Sequence, residues 1–222
     1  MTKFGEGLEQ LRTKLLEMSS LVEKSIHRSI GAVVQKDRAA ADEVLNNEAR
    51  INAIELEIDA LAIELLALHQ PMATDLRFIV AALKINTDLE RMGDLSVNIA
   101  KSALALIDAP AAANVVDIPY IAGLVQSMVR KSIDAFVAHD ADLAREVLAS
   151  DHAVDDLRTA CYGRINASML EDRANVKPAL SLLTVVRTLE RLADHATNIA
   201  EDVVFYVKGI DVRRGAGMKN PT

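Results

Sequence analysis

Tryptophan is absent from this chain and aromatic residues make up only 3% of it, whereas half of its residues are hydrophobic. Sheets draw on aromatic and β-branched side chains, while Ala and Leu suit closely packed helices, so this composition favours an all-α fold. Stacking platforms for single-stranded nucleic acid are excluded by the same scarcity of rings. Excess basic charge is also missing. The formal net charge is −7, and a phosphate footprint needs clustered Lys and Arg, so nucleic acid is not an expected partner. Cys161 is the only cysteine, which rules out an intrachain disulfide and any cysteine-rich zinc site. It reads as a small buried apolar residue. The longest run free of charge, Ile118 to Val129, has twelve residues, short of the ~20 that span a bilayer. The first residues lead into an amphipathic helix and not a secretory leader, so a cytoplasmic protein without membrane insertion is expected. Phosphate loops, dinucleotide fingerprints and G-x-S-x-G elbows are missing as well.

What the chain does contain is a repeat. Leu89-Glu90-Arg91-Met92-Gly93-Asp94-Leu95-Ser96-Val97-Asn98-Ile99-Ala100 returns one hundred residues later as Leu189-Glu190-Arg191-Leu192-Ala193-Asp194-His195-Ala196-Thr197-Asn198-Ile199-Ala200. Seven of the twelve positions are identical, and most of the identities are polar. Packing alone would preserve the apolar positions first. The likeness extends upstream: Arg28-Ser29-Ile30 aligns with Lys131-Ser132-Ile133, Asp37 with Asp140, and Glu43-Val44-Leu45 with Glu146-Val147-Leu148, all offset by 103.

Apolar residues recur at helical spacing almost throughout. One helix is outlined by Leu8, Leu11, Leu15, Met18, Val22, Ile26 and Ile30. A second covers about 39–68 and is broken by His69-Gln70-Pro71. A third covers about 72–107, with Thr74-Asp75 as cap and first-turn acid. The pattern restarts over about 120–139, 140–170 and 176–208, the last with Asn175 and Pro178 at its start. Long antiparallel helices with short turns form bundles, so the expectation is a tandem repeat of two three-helix bundles. Their boundaries are 1–108 and 119–208, with a linker at 109–118 and a tail at 209–222.

At about 100° per residue, Leu189, Leu192, Ala196, Ile199 and Val203 share one apolar seam, and Glu190, Asp194 and Asn198 lie nearly opposite. Glu90, Asp94 and Asn98 take the same place beside Leu89, Met92, Ser96 and Ile99. The carboxylates are therefore expected to face outward. Acids at i and i+4 repel by roughly 0.2–0.5 kcal/mol, and one hard cation reached by both turns that repulsion into attraction. Glu90, Asp94, Glu190 and Asp194 are the primary metal candidates; a solvated acidic face neutralised by Arg91 and Arg191 is the alternative. Tight turns near 71 and 173 would bring Glu48 and Glu55 beside the first pair, and Asp151, Asp155 and Asp156 beside the second. Glu55 and Asp59 form a further i, i+4 pair. Asn98 and Asn198 are secondary candidates, and His152 and His195 read as surface histidines. Neither Glu90 nor Glu190 has His at i+3, which excludes the di-iron bundle pattern.

Asp75-Leu76-Arg77-Phe78-Ile79-Val80-Ala81-Ala82-Leu83-Lys84-Ile85-Asn86-Thr87-Asp88-Leu89-Glu90-Arg91-Met92-Gly93-Asp94 closely resembles the signature of the PhoU family. The second copy, from Leu189 to Glu201, is similar to that family's C-terminal signature. Arg213-Arg214 departs from the Arg-His that relatives often carry. The resemblance implies a cytosolic negative regulator of the phosphate-starvation response, linking the ATPase subunit of a phosphate ABC transporter to a phosphate-sensing histidine kinase. It also implies iron, zinc or another divalent cation on the acidic faces, which nominates Glu90, Asp94, Glu190 and Asp194. Alanine-rich helical faces suit a homodimer. A metal-independent helical adaptor and a carboxylate–metal enzyme are the rival classes; regulation without catalysis is the expectation.

Overall fold

The computed structural model describes residues 2–107, 109 and 115–213. Among them are six α-helices, and their ends follow from local chemistry. α1 (Lys3–Gln35) opens on Thr2, whose hydroxyl accepts from the Gly5 N–H at 3.2 Å. It closes at Lys36, left-handed at φ 55°, and Asp37 then caps α2 (Arg38–His69) by accepting from the Ala40 N–H at 3.1 Å. α3 (Ala73–Ile107) follows a turn through Gln70 and Pro71. After α4 (Ile118–Ala138) the first device recurs: His139 is left-handed at φ 54°, and Asp140 caps α5 (Ala141–Glu171) through the Asp142 and Leu143 N–H groups. α6 (Val176–Lys208) ends at Gly209, whose φ of 69° suits glycine.

Three local expectations are corrected. Thr74 does not cap α3; its hydroxyl accepts from Arg77, and the helix already begins at Ala73. Asn175 does not cap α6, because its own backbone is helical and its amide donates to the Ser168 carbonyl at 3.1 Å. Asp172 acts instead, capping a 3-10 turn (Arg173–Asn175) that feeds α6. α4 starts inside the stretch read as linker, since Asp117 accepts from the Tyr120 N–H and Pro119 sits in the first turn. Residues 108 and 110–114 of that region, and 214–222 of the expected tail with Arg214, lie outside the described residues.

Helices α1–α3 form one up-down-up bundle and α4–α6 the other, with α3 and α6 side by side at the centre. Leu89, Met92 and Ile99 on α3, and Leu189, Leu192, Ile199 and Val203 on α6, are fully buried, as the seam predicts. α3 and α6 run antiparallel. Arg77 Nε donates to the Tyr206 carbonyl at 3.2 Å, Lys84 Nζ to Asp202 Oδ1 at 2.9 Å, and His195 Nδ1 meets Asp88 Oδ1 at 2.6 Å.

The scarce aromatics are concentrated at one end of this junction. Phe78 of α3 stacks on Phe136 of α4 with centroids 6.0 Å apart, and Tyr206 of α6 tilts against Phe78 at 5.5 Å. Arg12 of α1 lies 5.2 Å over the Phe78 ring and contacts His139 Nε2 at 2.8 Å. Four helices from both bundles thus meet on three rings.

The two copies solve one packing contact differently. A Cβ added at Gly93 would come within 3.1 Å of Ile51, whereas the matching positions of the second copy hold Ala193 and Val154. Glycine faces the larger side chain and alanine the smaller. Ile51→Val in isolation is expected to cost about 0.5–1.5 kcal/mol, and less once Gly93→Ala refills the space. A double-mutant cycle by chemical denaturation should give a favourable coupling of about 1 kcal/mol; strict additivity would refute the size exchange.

Candidate functional site

Glu90 and Asp94 stand one turn apart on α3, on the side that meets α2. Glu55 and Asp59 occupy the opposing part of α2, and Glu55 feels the charges of Asp59 and Asp94 while Glu90 feels those of Asp94 and Glu55. Burial raises the Glu90 carboxyl above its usual range, the charges of Asp94 and Glu55 raise it further, and Arg91 opposes them from 3.6 Å. Glu55 is raised by burial first, then by Asp59, with Asp94 adding to it. Asp59 accepts from Asn86 Nδ2 at 2.9 Å. Asn86 is fully buried and also donates to the Glu55 carbonyl at 3.0 Å, while its Oδ1 is without a partner.

In the second bundle Glu190 and Asp194 of α6 meet Asp151 and Asp155 of α5. Burial raises Glu190 first, followed by Asp194, and Arg158 works against both. Asp151 is raised by burial and then by Asp155 and Asp194. Asp194 is raised by the protein crowding its carboxyl, with His195 opposing and Asp155 adding. Arg158 is a built-in cation here, with Nη1 2.8 Å from Glu190 and Nη2 3.7 Å from Asp155. Its counterpart at the offset of 103 is Glu55. One copy therefore answers its carboxylate pair with an arginine and the other with a further acid.

The expectation that the pairs face outward holds for Asp194, which is exposed, and needs correction for the two glutamates. The side chains of Glu90 and Glu190 are only 16% and 17% exposed, because α2 and α5 lie across those flanks. Their apolar seams are narrower than the surface that neighbouring helices cover. Of the secondary candidates, Glu55, Asp59, Asp151 and Asp155 join the clusters. Glu48 is not among the charges acting on Glu55 or Glu90. Asn98 is exposed, and Asn198 turns to the other bundle, donating to Asp88 at 3.1 Å beside the His195 contact. His195 is thus a bridge between bundles and not a surface histidine; His152 and Asp156 are exposed. Arg158, Asp88 and Asn86 escaped the sequence reading, although the Glu55–Arg158 exchange was visible in the repeat alignment. Among the described residues, no three His, Cys, Asp or Glu side chains stand close enough to hold one metal ion as they are placed. The donors are oxygen atoms, the chemistry that a hard or borderline divalent cation takes, and Arg91 and Arg158 offset part of their charge.

Two antiparallel three-helix bundles, each setting a carboxylate pair of its last helix against acids of its middle helix, define a class of tandem helical proteins with duplicated acidic clusters. The PhoU domain matches this chain twice, over residues 15–103 and 118–203. The chain belongs to the PhoU family. It is 37% identical over 221 residues to the phosphate-specific transport system accessory protein PhoU homolog of Pseudomonas putida, covering 99% of this chain and 86% of that one. The crystal structure of PhoU from Pseudomonas aeruginosa superposes with a TM-score of 0.89 at 36% identity, covering 93% of this chain and 100% of that one. That of the phosphate transport system regulatory protein PhoU from Streptococcus pneumoniae gives 0.86 at 29% identity, covering 95% and 99%. None of the described helices is long and apolar enough to cross a membrane.

Proposed function

We propose that this protein is a non-enzymatic regulator of phosphate transport in the cytoplasm. It docks on the ATPase subunit of a phosphate ABC transporter and on a phosphate-sensing histidine kinase, and it holds the kinase in its inhibiting mode when phosphate is plentiful. The observation that carries this reading is likeness over nearly the whole chain to accessory proteins of phosphate-specific transport systems. A regulator without catalytic groups acts only through different affinities for the states of its partners. Long helices with duplicated acidic clusters suit that task. Deletion in the source cell should leave the starvation response switched on in phosphate-rich medium; normal repression in the deletion strain would sink the proposal.

The same reading assigns the two clusters to divalent cations such as iron or zinc, and the working unit to a homodimer. Raised carboxylates are charges in search of a counterion, and a cation offsets their repulsion. The first cluster is the stronger candidate. Arg158 already neutralises part of the second, whereas among the described residues Arg91 alone lowers Glu90 and Glu55 in the first.

A further inference from the structure

Asn86 stands one helical turn before Glu90 on α3 and is completely buried. Its Nδ2 donates twice to α2, to the Glu55 carbonyl at 3.0 Å and to Asp59 Oδ1 at 2.9 Å. Among the described residues, only Asn86 Oδ1 and Ser25 Oγ are buried side-chain atoms without a hydrogen-bond partner. A buried amide oxygen left unpaired costs stability, so its presence calls for a gain elsewhere. The internal repeat shows that packing does not ask for it. One hundred residues on, α6 carries Val186, which is also completely buried. The residues that Asn86 holds are exchanged as well: at the offset of 103, Glu55 and Asp59 become Arg158 and Tyr162. One bundle thus sets an amide and two acids beside its Glu-x-x-x-Asp pair, where the other sets valine, arginine and tyrosine.

We propose that Asn86 is a positioning residue for a divalent cation in the first cluster. It ties Asp59, and the α2 backbone at Glu55, to the turn of α3 that leads into Glu90. Oxygen atoms from two helices are therefore arranged before a cation arrives. The inference rests on the cation reading of the preceding section and gives the preference for the first cluster a second cause besides Arg158. Neighbouring carboxylates repel, and their side chains rotate apart unless something holds them. An amide N–H holds a carboxylate without adding a positive charge. Arg158 also holds its glutamate, with Nη1 2.8 Å from Glu190, but it brings the charge that a metal ion would bring. Val186 has no polar group and holds nothing. The unpaired Oδ1 of Asn86 is in addition a neutral oxygen, of the kind that accepts a hydrogen bond from cation-bound water.

Isothermal titration calorimetry with Zn2+, and with Fe2+ under anaerobic conditions, tests this on the full chain. A parent carrying Glu190→Gln and Asp194→Asn leaves the first cluster to be read alone. Asn86→Val in that parent should weaken cation binding by about 10–100-fold, the usual loss when a hydrogen-bond partner of a ligand is removed. Without metal it should melt no lower than the parent, because it copies Val186 and removes an unpaired oxygen. Asn86→Ala, smaller than valine, should show the same loss of affinity and guards against crowding by the new side chain. In an Asp59→Ala background the loss should shrink to about threefold or less, since the carboxylate through which Asn86 acts is gone. A parent that binds neither cation overturns the cation reading and this role with it. Unchanged affinity in both Asn86 variants overturns the role alone, and with a lowered melting temperature it makes Asn86 a purely structural residue. A full loss that persists in Asp59→Ala also overturns positioning through Asp59 while the cation reading stands.

Discussion

Phe78→Ala should destabilise the protein by about 3–5 kcal/mol, the largest loss expected from any single truncation outside the two bundle cores. The ring is 4% exposed and touches both bundles at once, against Phe136, Tyr206 and the Arg12 guanidinium. In a chain of this length such a loss lowers the melting temperature by roughly 10 °C. Calorimetry showing less than about 1 kcal/mol would mean that the bundles are held together elsewhere. The same junction carries a pH dependence. Burial first, and then the charge of Arg12, hold the His139 imidazole below its ordinary pKa of 6.5. The unfolded chain therefore takes up the proton more readily than the folded one. Stability from this group is fully present above pH 6.5 and is lost as pH falls toward the lowered folded value. His139→Gln should flatten this part of the stability–pH curve.

Replacing Glu90 and Asp94 by Gln and Asn should abolish most of the bound metal while stabilising the metal-free protein. The same change at Glu190 and Asp194 should remove less metal, because Arg158 already occupies that cluster. Each relieved carboxylate pair contributes roughly 0.2–0.5 kcal/mol. Conversely, a divalent cation at one hundred times its Kd should stabilise the wild type by about 2.7 kcal/mol and leave the variant neutralised in both clusters unmoved. The sign with pH is opposite to that of His139. The folded-state carboxyls of Glu55, Glu90, Asp151, Glu190 and Asp194 are raised, so their contribution is complete below the ordinary carboxylate range and is lost as pH rises through the folded values. Metal affinity should weaken in the same acidic range, where protons compete for the oxygens. Plasma mass spectrometry of untagged protein, with thermal melts in parallel, measures both. Metal-free wild type that gains no stability from iron or zinc would remove the cation reading and leave the regulator reading standing.

The repeated motif was legible because helical periodicity converts spacing into a face. Leu89, Met92 and Ile99 could be assigned to the core, and Glu90 with Asp94 to one line along the flank, from one dimension alone. Assigning the acids of α2 and α5 to those lines needed only the turn positions; it succeeded for Glu55, Asp151 and Asp155 and failed for Glu48, which acts on neither Glu55 nor Glu90, and for Asp156, which is exposed. It failed where a side chain chooses between neighbours. Asn98 and Asn198 hold the same motif position and both are exposed, yet Asn198 donates to Asp88 across the bundle junction. No property of the residue itself distinguishes them.

The sequence by itself determined the helices, the duplication and the two acidic lines, because each depends on contacts within about a turn of helix or on a comparison of the two halves. Only the tertiary structure decided how deeply those lines are covered, that Arg158 answers one of them, and that His195 and Asn198 serve the junction of α3 with α6. The exposure of Leu56 and Ile63 on α2 belongs with these. Leu56 and Ile63 are chemically indistinguishable from core residues until burial is known, since an apolar side chain carries no mark of which partner it will meet.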